Sequence, residues 1–155
     1  MTYEDWITFA ENKGLQVIEL PLTYSVGMIV GDVIGIDSGL TSNQKAEVMS
    51  EELGHHCLTV GNILNQDDVR NRRQEHKARR WGYNRQVTQE QLLEAAKYGC
   101  RNAFEVAEFL GVTEGYLEDA IEDFKKQYGT AFYSDDFIIQ YEPFFAVYYI
   151  EEDAQ

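Results

Sequence analysis

Residues 48–56 read VMSEELGHH and lie within a helix that is expected from about residue 43 to residue 58. Glu51 and His55 are four positions apart on that helix, so both side chains lie on one face and can point at one cation. Glu52 projects about 100° further around the helix, toward the edge of that face. In the H-E-x-x-H pattern of zinc peptidases, two His hold the metal and the Glu activates a water molecule. Here Glu51 stands where the first His would be, and the stretch still indicates a metal site.

The short pattern also has a simpler explanation, because surface helices often carry Glu and His four residues apart as a solvated pair. The neighbouring residues favour the metal site. Val48 and Leu53 are apolar, and Gly54 is a poor helix former inside an expected helix. A glycine at such a position indicates that another element approaches the helix closely.

Length, charge and cysteine content narrow the class of protein. The 155 residues suit one ordinary domain, and the net charge of −14 argues against general affinity for nucleic acid or anionic membranes. The acidic start at residues 1–6 does not resemble a secretory signal, and no run approaches the roughly 20 apolar residues of a membrane span. Cys57 and Cys100 are too few for a disulfide framework and are expected to be buried as small hydrophobic residues. We therefore predict a cytoplasmic protein.

The rest of the chain alternates between helical and extended patterns. Before the motif helix, we predict a short helix ending near Gly14, then a strand and a hairpin at residues 15–20, 28–30 and 33–37. Thr41 or Ser42 can cap the motif helix, which should break at Gly61-Asn62. A charged helix is expected after Asp67 to about residue 86, and then three helices with capping signals at Thr88, Asn102 and Thr113. Aromatic and β-branched residues predict a β-hairpin or small meander at the C-terminus.

A cluster of basic residues lies between residues 70 and 85 and contains seven of the 13 Lys and Arg residues: Arg70, Arg72, Arg73, Lys77, Arg79, Arg80 and Arg85. A nucleic-acid patch is one interpretation, but the other residues are strongly negative, which favours a solvated face that holds an acidic neighbour. The helices expected at 103–110 and 114–128 superficially resemble a helix-turn-helix. The second of them carries carboxylates that would repel DNA, and we expect no nucleic-acid partner.

Longer segments make the chain similar to the ImmA/IrrE metallopeptidases, in particular the small forms encoded by prophages and mobile elements of Gram-positive bacteria. The similar segments are EELGHH at 51–56, QEHKARRWGY at 74–83, YGCRN at 98–102 and VAEFLGVT at 106–113. The resemblance implies two metal ligands from the motif helix and a third, a carboxylate, from the following helix. Matched residue by residue, it implies Glu51, His55 and Glu75 as ligands and Glu52 as general base. Glu75 matches through the pattern Glu-x-x-Ala-x-x-Trp at residues 75–81.

The ligand set that the resemblance implies has a consequence for the metal. Two carboxylates and one neutral imidazole leave a Zn²⁺ site formally neutral, whereas two His and one carboxylate leave it at +1. A less positive site acidifies its water less. Carboxylate ligands also suit harder cations, so we expect zinc and keep manganese as a candidate.

Other polar residues near the motif have two interpretations each. His56 could support the site or act as a ligand with Glu52 one register later, but Leu53 would then stand where a base is needed, which favours an exposed residue. His76 is expected to be a packing or surface residue rather than a ligand. The possible transition-state donors are Tyr24, Tyr83 and Tyr98, and the sequence does not choose among them.

We therefore predict an α+β fold, a minimal zincin-like metallopeptidase with a small sheet packed on the motif helix. A single domain is expected over residues 1–155, with the catalytic core in 1–86 and a helical part with the terminal β-hairpin in 87–155. The resemblance implies a zinc-dependent endopeptidase that cleaves a specific protein, a helix-turn-helix repressor of a prophage or mobile element. The alternative is a peptidase-like binding protein, an anti-repressor or regulator with a degenerate metal site, and Glu51 in place of His favours it.

Overall fold

The structure, a computed structural model, describes residues 1–58, 68–143 and 145–150, apart from the side chains of 68–71. It divides into two compact units, Met1–Gln86 with Gly111–Thr113, and Val87–Leu110 with Glu114–Gln155. Helices and two small sheets of three strands each make the fold α+β, as predicted. Among the described residues, no helix is both long and apolar enough to cross a membrane.

The elements follow the predicted order along the chain. The first unit contains α1 (Tyr3–Asn12), β1 (Gln16–Leu20), β2 (Gly27–Val30), β3 (Val33–Asp37), α2 (Ser42–Leu58) and α3 (Asp68–Gln86). The second unit contains α4 (Gln89–Tyr98), α5 (Ala103–Leu110), α6 (Glu114–Tyr128), β4 (Ala131–Tyr133), β5 (Phe137–Gln140) and β6 (Ala146–Tyr149). The terminal strands form the meander rather than a two-stranded hairpin. The predicted break at Gly61-Asn62 lies outside the described residues.

The sheet of the first unit has the strand order β1-β3-β2. β2 and β3 form the predicted antiparallel hairpin, and Gly31 turns the chain between them with φ at +61°. β1 runs parallel to β3, which the sequence did not indicate. Ile34 and Ile36 on the central strand are fully buried in the core that the sheet shares with α1 and α2.

Aromatic packing and one buried amide connect α1 to the end of α3. Trp6 is fully buried, and its ring centroid lies 5.9 Å from that of Trp81. The indole Nε1 of Trp6 donates to Gln86 Oε1 at 2.7 Å, and Gln86 Nε2 donates to the carbonyl oxygen of Met1 at 2.7 Å. Both ends of the buried amide are thus satisfied, as burial of a polar group requires.

Close backbone contact sets the packing of α2 against α3. A Cβ atom built on Gly54 would lie 2.5 Å from the carbonyl oxygen of Ala78, and one built on Gly82 would lie 2.8 Å from Ser50 Oγ. The contact position moves forward by four residues on α3 as it moves back by four on α2, so the two helices are antiparallel. The close approach expected at Gly54 is confirmed.

The Gly54→Ala variant should therefore lose stability. An added methyl group has to displace the backbone of α3, and overpacking of this kind costs about 1–3 kcal/mol. Urea unfolding followed by tryptophan fluorescence will measure the loss, because Trp6 and Trp81 both lie in the first unit.

The matched control is Gly115→Ala in α6. A Cβ atom there meets no other atom within 4 Å, and alanine is the better helix former. This variant should leave the fluorescence midpoint unchanged and should not lower the midpoint seen by circular dichroism. Equal losses in the two variants would contradict the packing of α2 on α3.

The second unit combines three helices with the antiparallel sheet β4-β5-β6. α4 begins with the predicted capping box of Thr88 and Gln91 and ends at Gly99, whose φ is +104°. Phe124 is fully buried with its ring centroid 6.0 Å from that of Tyr141. The hydroxyl of Tyr141 donates to Gln89 Oε1 at 2.5 Å, so the end of β5 is tied to the start of α4.

Candidate metal centre

The three predicted ligands lie together between α2 and α3. Potential ligand atoms of Glu51, His55 and Glu75 all fall within 4.8 Å of one another. His55 Nε2 and Glu75 Oε2 are 3.4 Å apart. Ligand atoms about 2.1 Å from a tetrahedral metal are separated by about 3.4 Å. The group therefore fits a divalent cation after small side-chain rotations.

The antiparallel helix pair explains why these side chains meet. Glu51 and His55 occupy one face of α2 at a spacing of one turn, and α3 passes that face in the opposite direction. The contact of Gly54 with Ala78 brings the two backbones close enough for Glu75, three residues before Ala78, to reach His55.

The chemistry and exposure of the group suit a catalytic cation. One imidazole and two carboxylates are ligands that zinc accepts and that manganese tolerates. The side chains of His55, Glu51 and Glu75 remain 28%, 36% and 48% exposed, respectively, so the group is open to solvent. Three candidate ligands with an open side match the arrangement of a catalytic rather than a structural metal site.

Glu52 lies beside the group and is more enclosed. A Cβ atom built on Gly27 of β2 would lie 3.0 Å from Glu52 Oε1, so this strand covers the carboxylate. Burial raises the pKa of Glu52, and Glu51 and Glu75 raise it further, whereas His55 acts in the opposite direction. A carboxylate with a raised pKa accepts a proton more readily near neutral pH, which suits a general base.

Arg79 contacts the group, and sequence reasoning did not single it out. Its Nε lies 3.2 Å from Glu51 Oε1, and Glu51 is the main cause that raises the pKa of Arg79. Arg79 thus finds the acidic neighbour expected for the basic cluster. Elsewhere in the cluster, the Arg85 guanidinium stacks 3.8 Å above the Trp81 ring, and the side chain of Arg70 lies outside the described residues.

The other candidate residues do not join the metal-binding group. His56 is exposed on α2, and His76 is exposed on α3 with its Nε2 3.3 Å from Arg80 Nη2. The three tyrosines considered as transition-state donors differ in placement: Tyr24 is fully exposed before β2, Tyr83 is buried on α3, and Tyr98 is exposed in the second unit.

A small sheet, a pair of antiparallel helices and a Glu-His-Glu group with a neighbouring carboxylate define a metallopeptidase-like domain. The sequence matches the family model of the IrrE N-terminal-like domain, peptidase M78, over residues 10–122. This range includes more than half of the chain and all four candidate site residues, and the chain belongs to that family. A search of curated proteins finds no sequence that matches it.

Proposed function

We propose that this protein is a metal-dependent endopeptidase, with Glu51, His55 and Glu75 as metal ligands and Glu52 as general base. The observation that carries the proposal is the convergence of the three ligands within 4.8 Å, next to a more enclosed carboxylate. Membership of the M78 family supports a peptidase with a metal requirement.

The roles of the residues follow from their chemistry. A bound zinc or manganese ion would supply Lewis acidity and lower the pKa of a water molecule. Glu51, His55 and Glu75 would hold the cation, and their solvent-exposed side leaves room for the substrate. Glu52 takes a proton from the attacking water and later delivers it to the leaving amine.

The edge strand β2 offers a place for the substrate backbone. β3 pairs with one edge of β2, and no strand within residues 1–58, 68–143 or 145–150 pairs with the other edge. Gly27 of this strand lies against Glu52, while Met28 and Val30 are exposed apolar residues. An extended segment of the substrate can add to this edge by main-chain hydrogen bonds, which places it beside the general base.

The proposed substrate is a helix-turn-helix repressor of a prophage or mobile element, which follows from the resemblance to ImmA/IrrE proteins. Zinc is the proposed metal, and manganese suits the two carboxylates. The net charge of −14 supports a protein substrate rather than nucleic acid, and a cytoplasmic location fits such a substrate.

One observation favours the alternative function, a binding protein that does not cleave its partner. Arg79 forms an ion pair with Glu51. The guanidinium can therefore neutralise the Glu51 carboxylate without a metal ion. A protein that used this pair in place of a metal would keep the scaffold and recognise the repressor without hydrolysis.

Incubation with a repressor encoded beside the gene will separate the two functions. We expect the protein to cleave it in the presence of zinc, to stop when a chelator is added, and to recover when zinc is restored. Gel electrophoresis will follow cleavage, and a pull-down will follow binding in the same samples. Binding without cleavage under all three conditions would refute the peptidase and establish the alternative.

A further inference from the structure

We infer that Arg79 is a positioning residue that holds Glu51 in the orientation needed for a metal ligand. The inference rests on the proposed metal site and assigns to this site a residue outside the predicted ligand set and general base. Arg79 does not touch the cation or the substrate in this role. It acts through the carboxylate of Glu51.

The geometry allows Glu51 to accept a hydrogen bond from Arg79 and to bind a metal ion at the same time. The Nε–H group of Arg79 approaches Glu51 Oε1 at 3.2 Å, and a carboxylate oxygen of Glu51 lies within 4.8 Å of potential ligand atoms of both His55 and Glu75. A carboxylate has several acceptor positions, so one oxygen can accept from Arg79 while the other faces a cation.

The relative register of α2 and α3 explains why Glu51 and Arg79 meet. On α2, Glu51 precedes His55 by one turn, and on the antiparallel α3, Arg79 follows Glu75 by one turn. His55 therefore faces Glu75 while Glu51 faces Arg79. Glu51 and His55 of α2 thus each face one polar residue of α3, Arg79 and Glu75 respectively.

The direction of the hydrogen bond, from the Arg79 guanidinium to Glu51, suits a site whose first ligand is a carboxylate. A His that binds a metal usually donates its other ring N–H to a carboxylate or carbonyl, which fixes the orientation of the ring. When Glu replaces that His, the supporting group has to be a donor instead of an acceptor. A guanidinium meets this need with a charge-assisted hydrogen bond of defined direction.

Formal charge supports the same conclusion. Zn²⁺ with Glu51, His55 and Glu75 has a formal charge of zero, and the guanidinium of Arg79 raises the local sum to +1. This is the charge of a site with two His and one carboxylate. Glu51 and Arg79 together thus replace a neutral His in both charge and orientation.

Arg79 also repels a cation, and the two effects have to be compared. Its side chain is 54% exposed, so solvent and salt screen the repulsion. Loss of a group that orients a metal ligand typically lowers affinity or activity 10–100-fold. Orientation should therefore dominate, and Arg79→Gln should weaken metal binding.

Titration of the metal-free full chain with Co²⁺ will test the inference, with the visible absorption of bound Co²⁺ as the signal. We expect Arg79→Gln to raise the dissociation constant about tenfold and to alter the absorption bands, because the coordination of Glu51 changes. Arg79→Lys keeps a charged donor and should recover part of the affinity. Thermal unfolding will confirm that each variant is folded.

The matched control is Arg73→Gln, which removes the same charge from an exposed position of the same helix. Arg73 lies about 240° around α3 from Arg79, on another face. Its replacement should leave the dissociation constant within twofold. An equal weakening by Arg73→Gln and Arg79→Gln would mean that net charge, and not the contact with Glu51, controls affinity.

The decisive comparison uses the Glu51→His background, in which Arg79 has lost its acceptor and only its repulsion remains. There Arg79→Gln should leave Co²⁺ affinity unchanged or increase it, whereas a merely structural role would lower affinity in both backgrounds. Equal Co²⁺ binding by the parent chain and Arg79→Gln would overturn the role of Arg79 alone. A parent chain that binds no Co²⁺ would overturn the metal site and this inference with it.

Discussion

Replacement of Glu52 by glutamine is expected to reduce cleavage by at least about a hundredfold while metal binding, fold and partner binding persist. Glutamine keeps the shape that packs against Gly27 but has no oxygen that can take a proton at neutral pH. Glu52 lies outside the group of ligand atoms, so its loss should not release the cation. The separation of catalysis from metal binding is the signature of a general base.

Glu51→Gln is the comparison for this result, because it changes the neighbouring residue in the same way and should weaken metal binding itself. Cleavage of the repressor by gel and bound metal by elemental analysis should be measured on the same samples. Cleavage by Glu52→Gln at the parent rate would exclude Glu52 as the base. If neither the parent nor the variant cleaves but both bind the repressor equally, the binding function is correct.

The second large effect is expected when a metal ligand is removed, and the quantity that falls is the affinity for the metal. His55→Ala and Glu75→Ala remove one of three protein ligands, and affinity should fall roughly a hundredfold or more, since loss of a supporting group alone costs 10–100-fold. The protein purified without chelator should contain close to one zinc or manganese ion, and these variants should contain little.

His56→Ala provides the control, because His56 is the next residue on α2, is exposed, and lies outside the ligand group. This variant should keep the metal content of the parent. Full occupancy in His55→Ala or Glu75→Ala would show that the cation binds elsewhere. A loss in His56→Ala equal to that in His55→Ala would instead favour the register with Glu52 and His56 as ligands.

Helices and turns were predictable because local chemistry sets them. Thr88 and Gln91 form a capping box within four residues, and Gly31 supplies the positive φ of the hairpin. Thr41, one of two candidates for the cap of α2, accepts from the backbone N–H of Gln44. The parallel pairing of β1 with β3 was not predictable, because it depends on packing against helices rather than on the residues of either strand.

The candidate site was predictable only in part. Helical periodicity placed Glu51 and His55 on one face, but nothing in a strongly charged helix distinguishes Glu75 from an ordinary surface residue, and only the family resemblance indicated it. The ion pair of Arg79 with Glu51 depends on the register between α2 and α3. That register follows from the close contacts of Gly54 and Gly82, which no local pattern specifies quantitatively.

The site residues lie close together in the sequence, and this affects the stage of synthesis and folding at which the site can form. Glu51, Glu52, His55 and Glu75 span 25 residues, and the helices that carry them, α2 and α3, are consecutive among the described elements. Closing a short loop costs less entropy than closing a long one, so we expect the contacts between α2 and α3 to form early in folding. Because synthesis on the ribosome proceeds from the N-terminus, all four side chains have been made before residues 87–155 are translated. The four side chains of the proposed site can therefore come together before synthesis of the second unit is complete.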